Sequence, residues 1–310
     1  MRGKKPRQHH IWQQYLRAWS VDGAVYCLQE GRIFHAGTTV LGIEKDFYKL
    51  PPLTDADLKL LAFLLDLDNA PPIVRMYLDT VLRNILGPML FARQNRDRLY
   101  VSKADELLDV HNTNAIDNHH TRIEGTCISL LERSLAGDLN WYDNGKECLD
   151  FCQFLIAQQM RTRGVKERVI SKLLERWGGA ADVSRIWDIL AIKLSFVGGL
   201  NIFRSRQRYR LISIRNDTPM PFITSDQPVI HLHGNGETLP EVTSLYYPIS
   251  PRLALYLGEP GAVSDMPIEA MTPETVAYLN LRMAKASHSQ VYAHTLKPLE
   301  AVRNCLRNGA

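Results

Sequence analysis

The chain has 310 residues, 45% of them hydrophobic and 23% charged, a balance that excludes a disordered or fibrous polypeptide. The formal net charge of +4 is too mild by itself to mark a nucleic-acid binder. Five cysteines without a Cys-x-x-Cys pair argue against a disulfide framework or a zinc knuckle.

The opening MRGKKPRQHHIWQQ has no apolar core of a secretory leader. No run reaches the roughly 18 apolar residues of a membrane span. The expected setting is therefore the cytoplasm, with no membrane partner. Charge is unevenly distributed. Arg2, Lys4, Lys5, Arg7 and Arg17 form one basic stretch without acids, and Arg204, Arg206, Arg208, Arg210 and Arg215 form another. Either could hold phosphates, or simply be solvated; the second reads as the wet face of a strand.

Along the chain, Trp12, Tyr15, Leu16 and Trp19 have helical spacing and predict a short helix over 9–19. Ala24–Leu28 and Arg32–His35 flank a Gln-Glu-Gly turn and predict a hairpin. A helical block follows. Thr54 caps a helix carrying Leu58, Leu61, Leu64 and Leu65. Pro71-Pro72 opens a long segment that Gly87-Pro88 should break or kink. Further helices are expected over 115–136, 146–162, 165–177 and 182–198, about six in all. Cys148 and Cys152 share one helix face and read as packing residues.

After Gly198-Gly199 the texture changes to short strands: Tyr209–Ile214, Pro221–Ile223, Val229–Leu232, Ser244–Tyr247 and Leu253–Leu257. Thr272-Pro273-Glu274 starts a helix running to about Ala286, and a strand over Gln290–Ala293 precedes a tail helix. The expected fold is α+β: a single domain with an N-terminal motif and hairpin over 1–50, a central helical bundle over 51–198, and a mainly antiparallel sheet plus helix over 199–310.

Polar residues inside apolar stripes mark candidate sites, because burial of a polar group needs compensation. Glu124 heads a stripe with Cys127, Ile128 and Leu131. Gln158 and Arg161 extend the stripe of Phe151, Phe154 and Leu155, and Asn280 sits in that of Val276, Leu279 and Met283. Glu124 and Arg161 could compensate one another, as a functional or a purely structural pair. Two loop motifs join them: His9-His10, and Thr224-Ser225-Asp226-Gln227-Pro228, where Asp226 could instead just cap its turn. His119-His120 lies in the polar run DNHHTR and reads as solvated helix surface.

No P-loop, GxGxxG, HExxH or GxSxG is present, which removes support from several common enzyme classes. At the motif residues the chain resembles a widespread, mostly bacterial family of unknown function. Its features are an HH-x4-YLR motif, here His9-His10 to Tyr15-Leu16-Arg17, a later TSD-x-P turn, here Thr224 to Pro228, and a P-x-SP strand entry, here Pro248 to Pro251. Glu124, the Gln158/Arg161 patch and Leu279-Asn280 match further features of that family. HHIWQ departs from the usual HHY-x-P. The resemblance implies a shared fold and, by analogy with defence-associated proteins, a nuclease.

Three functional expectations follow. The first is a phosphodiester hydrolase on RNA or DNA, with His9 or His10, Glu124, Arg161 and Asp226 catalytic, with or without a divalent metal. Gln158, Thr224, Ser225, Asn280, Arg204, Arg206 and Arg208 would bind its substrate. The second is a binding or sensor module for a small anionic ligand or a protein partner. The third is a set of structural staples. The first two need convergence of these residues on one open cavity; the third needs each sealed by its own hydrogen bonds.

Overall fold

The computed structural model describes residues 3–95, 101–177, 182–233, 243–259 and 271–308; Arg2 falls outside them. The fold is α+β. Among the described residues, three antiparallel sheets frame it. The first pairs β1 (Arg7–His9) with β4 (Ile43–Lys45). The second has the order β3-β2-β10-β6, built from β2 (Ala24–Gln29), β3 (Arg32–Gly37), β6 (Thr224–Ser225) and β10 (Gln290–Ala293). The third has the order β5-β9-β8-β7, from β5 (Arg210–Arg215), β7 (Ile230–His231), β8 (Ser244–Ser250) and β9 (Leu253–Gly258).

The hairpin β2–β3 forms as expected. Glu30 and Gly31 both take positive φ, 49° and 74°, the geometry of a tight two-residue turn whose twist matches the strands. The hairpin is not a separate N-terminal unit, however. β2 pairs along β10, residue Leu28 opposite Val291, so the N-terminal and C-terminal segments share one sheet.

Six helices form the bundle among the described residues: α2 (Asp55–Leu65), α3 (Pro72–Gln94), α4 (Val101–Leu135), α5 (Gly145–Met160), α6 (Arg163–Trp177) and α7 (Trp187–Arg204). Thr54 and Asp57 exchange side-chain-to-backbone hydrogen bonds at the start of α2, a capping box that satisfies two otherwise orphaned donors. α8 (Pro273–Ala286) and α9 (Leu296–Arg307) follow. Thr272 Oγ1 accepts from the Thr275 amide at the start of α8. No helix of the described residues is long and apolar enough to cross a membrane.

Four boundaries differ from expectation. The helix over 9–19 shrinks to α1 (Gln13–Arg17), because residues 7–9 are drawn into a strand by β4. α3 runs through Pro88 without a break. Pro88 is exposed while Ile85, Leu86 and Met89 around it are buried, so packing on both sides holds the helix and solvent reaches the disturbed turn. α4 begins at Val101 rather than 115. α7 continues across Gly198-Gly199 to Arg204. There a Cβ on Gly199 would lie 2.6 Å from the backbone of Gln153, so the glycine serves close approach of α7 to α5 and not a change of region. Pro221–Ile223 is not a strand of either sheet; the strand there is β6.

The apolar residues gather in two buried clusters. One joins α1, the end of α4, α5, the two larger sheets, α8 and α9. The other joins α2, α3, α6 and α7. α1 belongs to the first through Tyr15, Leu16 and nearby Trp19, all buried. This agrees with the apolar surface those residues would otherwise leave in water.

Candidate functional site

The N-terminal segment is bolted to α4 before it reaches the histidines. The Lys5 amide donates to Asn114 Oδ1 at 3.0 Å, and Asn114 Nδ2 donates to the Gly3 carbonyl at 3.1 Å. Buried Gln8 donates to the Thr113 carbonyl at 2.5 Å and accepts from the Tyr48 amide at 2.7 Å. These bonds explain a feature that the sequence hides. Asn112, Thr113, Asn114, His119 and His120 are all buried, because α4 is covered on more than one side. The reading of His119-His120 as solvated surface is therefore wrong. His120 packs on the Tyr48 ring at 5.0 Å, and His119 Nε2 lies 3.4 Å from Tyr77 Oη. Burial lowers both pKa values, that of His119 to about 4.

Arg161, at the C-terminal end of α5, is the hub of the site. Its side chain is 3% exposed. Nη1 bonds Glu124 from α4, Nε donates to Tyr48 Oη at 2.8 Å, and Nη2 donates to the His9 carbonyl at 2.6 Å. The guanidinium also lies 5.5 Å from the Tyr48 ring centroid. Gln158, one turn back on α5 and buried, also lowers the Glu124 pKa. The expected compensation of Glu124 by Arg161 is thus present. Burial opposes the Arg161 charge, and Tyr48 and Glu124 outweigh it, so its pKa is raised. Burial lifts the Glu124 carboxyl against the pull of Arg161.

The pair forms part of the wall of a cavity of about 330 Å³ beside α1. Lys5, Arg7, Arg17 and Arg161 bring four cations to it, against Asp117 and Glu124. Lys5 pairs with Asp117 at 3.2 Å and Glu124 is held by Arg161. Arg17 bonds only Gln14, and Arg7 makes no ion pair among the described residues. Trp12, half-buried and edge-on to Phe154 at 5.8 Å, adds an aromatic wall.

Adjacent residues of a strand face opposite ways, and His9 and His10 do so. His9 lines the cavity. Burial, then Arg161, lower its pKa, so the imidazole is neutral at pH 7. His10 turns away onto Phe47, with ring centroids 5.4 Å apart, and burial takes its pKa to about 4. His9 Nε2 and His10 Nδ1 are buried without a hydrogen-bond partner.

Asp226, Ser225, Asn280 and Thr224 lie outside the lining of this cavity. Asp226 Oδ1 accepts from the His288 amide at 2.8 Å, and its Oδ2 accepts from the Ser289 amide, the Ser289 hydroxyl and the Gln290 amide at 2.6, 2.8 and 2.9 Å. The carboxylate is sealed as the staple that joins α8 to β10. Ser225 Oγ closes its own turn, donating to the Gln227 carbonyl and accepting from the Gln227 amide. Asn280 accepts from the Ile223 amide at 3.0 Å and donates to the Pro221 carbonyl at 2.9 Å. It replaces the ladder bonds that residues 221–223 lack. Thr224 is buried against Tyr15.

The second basic stretch is also elsewhere. Arg204 ends α7, and Arg206 and Arg208 lie in the turn after it, not on β5. Arg206 stacks on Phe203 at 4.6 Å and Arg208 pairs with Glu259 at 3.3 Å. None of the three lines the His9 cavity. Missed by sequence reasoning were Tyr48, Gln8 and Trp12. Tyr48 and Gln8 gave no signal, since a lone tyrosine or glutamine in a short segment has many structural uses.

Residues 190–297 match the model of a family described as a protein of unknown function, DUF4238. The match takes in Thr224, Asp226 and Asn280 and leaves out His9, Glu124 and Arg161. No curated protein and no solved structure matches the chain.

Proposed function

We propose that the protein binds a phosphate-bearing ligand in the cavity beside His9, a reading that rests on the cavity itself, since the family match over 190–297 brings no activity with it. One observation carries this reading: Arg7 and Arg17 both line the cavity with no carboxylate partner among the described residues, beside Arg161, which fixes the His9 backbone. Phosphate oxygens would take their charge from Arg7 and Arg17, since an unpaired guanidinium makes strong bidentate bonds to such groups. Arg161 acts by positioning, because Glu124, Tyr48 and the His9 carbonyl already occupy it. The proposal places the protein in the cytoplasm, in keeping with five free cysteines.

The test is calorimetric titration with pyrophosphate and a short single-stranded RNA. Arg7→Ala combined with Arg17→Ala should weaken binding at least tenfold at low salt, with a smaller difference at high salt. Equal affinity of variant and parent would overturn the proposal.

A second reading, hydrolysis of a phosphodiester in the same cavity, is favoured by the neutral His9 imidazole beside those arginines. Its Nε2 is buried, so the ring must turn before it can take a proton from a ligand. The described residues gather no group of three or more His, Cys, Asp or Glu side chains for a metal, and the reading is open to chemistry with or without a divalent metal. Incubation with tRNA, total RNA and plasmid DNA, with and without divalent metal, checks it. Cleavage lost in His9→Asn supports it; no cleavage, or cleavage retained by His9→Asn, ends it.

A further inference from the structure

On the other side of α4 lies a cavity that none of the foregoing uses. It is about 500 Å³, within the range of small-molecule pockets, and is walled by α3, α4, α5 and α7. Met76, Tyr77, Val81, Ile123 and Phe196 give it apolar sides. Tyr77 stacks flat on Phe196, centroids 3.8 Å apart, and its hydroxyl accepts from Gln153. Met76 is 67% exposed, a large apolar side chain at the mouth with no core to join.

The charges around it are not balanced. Asp150 lines the cavity but is held by Lys146 at 2.6 Å. His119 is neutral at pH 7, since burial and then Arg122 lower its pKa to about 4. Arg122 makes no hydrogen bond or ion pair among the described residues, and it sits in the wall. A free guanidinium over an apolar cleft matches one kind of ligand, a molecule with an apolar body and a single anionic head.

We propose that this cavity is a binding site for an amphipathic monoanion of the fatty-acid type, its apolar chain lying between Tyr77, Ile123 and Phe196 and its carboxylate on Arg122. The site is separate from the His9 cavity and does not depend on the reading given to it.

The full chain is titrated calorimetrically with decanoate below its micelle-forming concentration, and in parallel with decanol and acetate. Decanoate binds saturably at one site. Decanol and acetate each bind at least tenfold more weakly, since each lacks one of the two contacts. Arg122→Gln weakens decanoate at least tenfold, the loss of one charge-assisted contact, while Tm moves by no more than about 2 °C because the side chain is exposed. Met76→Glu, which sets a like charge at the mouth, weakens it too. Absence of saturable binding, decanol binding as tightly as decanoate, or Arg122→Gln binding with parental affinity would each overturn the proposal. The Arg7→Ala, Arg17→Ala variant keeps decanoate binding; loss there would show one shared site and overturn it as well.

Discussion

The hydroxyl of Tyr15 lies 2.5 Å from Thr224 Oγ1 and donates to the Pro248 carbonyl at 2.6 Å. Its single proton goes to the carbonyl, so the Thr224 hydroxyl must be the donor between the two. Three motifs noted far apart in the sequence, YLR, TSD-x-P and P-x-SP, meet at this one oxygen. They meet as packing, with the Tyr15 ring stacked on Tyr247 at 5.2 Å.

Tyr15→Phe keeps the ring and strands two buried polar groups. Stability should fall by about 1–3 kcal/mol, read from urea unfolding, with binding at the His9 cavity unchanged once the protein is folded. A loss below about 0.5 kcal/mol would mean that solvent or a neighbour takes over the bonds.

Asp226→Asn is the sharpest test of the staple. Its Oδ2 accepts three hydrogen bonds and its Oδ1 a fourth from the His288 amide, so an Asn that keeps its oxygen at the Oδ2 position sets an amide nitrogen, which cannot accept, against the His288 amide. Asn should therefore cost about 2–4 kcal/mol, and Ala no less. Ligand binding by the folded fraction should be retained. A variant as stable as the parent but inactive would return Asp226 to the chemistry.

For the buried pair, removal of one member leaves a charge without its partner. Arg161→Gln or Glu124→Gln should each cost roughly 3–5 kcal/mol, and the double variant less than their sum. Arg161→Lys should not rescue, since one ammonium cannot serve Glu124, Tyr48 and the His9 carbonyl in their fixed directions. Additive losses in chemical denaturation would argue that the two act separately.

Acid should unfold the protein through its histidines. His10, His119 and His231 have folded pKa values lowered to about 4 from 6.5, chiefly by burial. The unfolded chain then binds protons more readily, so their contribution is fully present above about pH 6.5 and drains away as pH falls toward 4. Plotting unfolding free energy against pH, His10→Gln should give a shallower slope in that window, by up to about one proton. Parallel curves for variant and parent would show that His10 titrates normally.

Much of this was legible in the sequence, and the reasons for the rest are physical. Periodicity revealed the bundle, and Thr54 and Thr272 marked their helix starts, because such signals act within a few residues. The opposition of Glu124 and Arg161 could be read because a charge in an apolar stripe needs an answer. The bonds that hold Asp226 were not legible because its amide donors lie 62 to 64 residues away, beyond anything a local motif displays. The histidines of DNHHTR looked wet because no periodic pattern marks a helix covered from several sides. The arginines after Phe203 looked like a strand face because alternation alone does not tell a strand from the end of a helix.

The Tyr15 contact also has a cost in time. Its partners Thr224 and Pro248 follow it by 209 and 233 residues. At ribosomal speeds of about 5–20 residues per second, the wait is roughly 10–50 seconds. Phe154, the partner of Trp12, is made earlier, but Tyr15 has neither Thr224 nor Pro248 until that interval ends. Until then this apolar segment lacks part of its native cover and is exposed to chaperones and to aggregation.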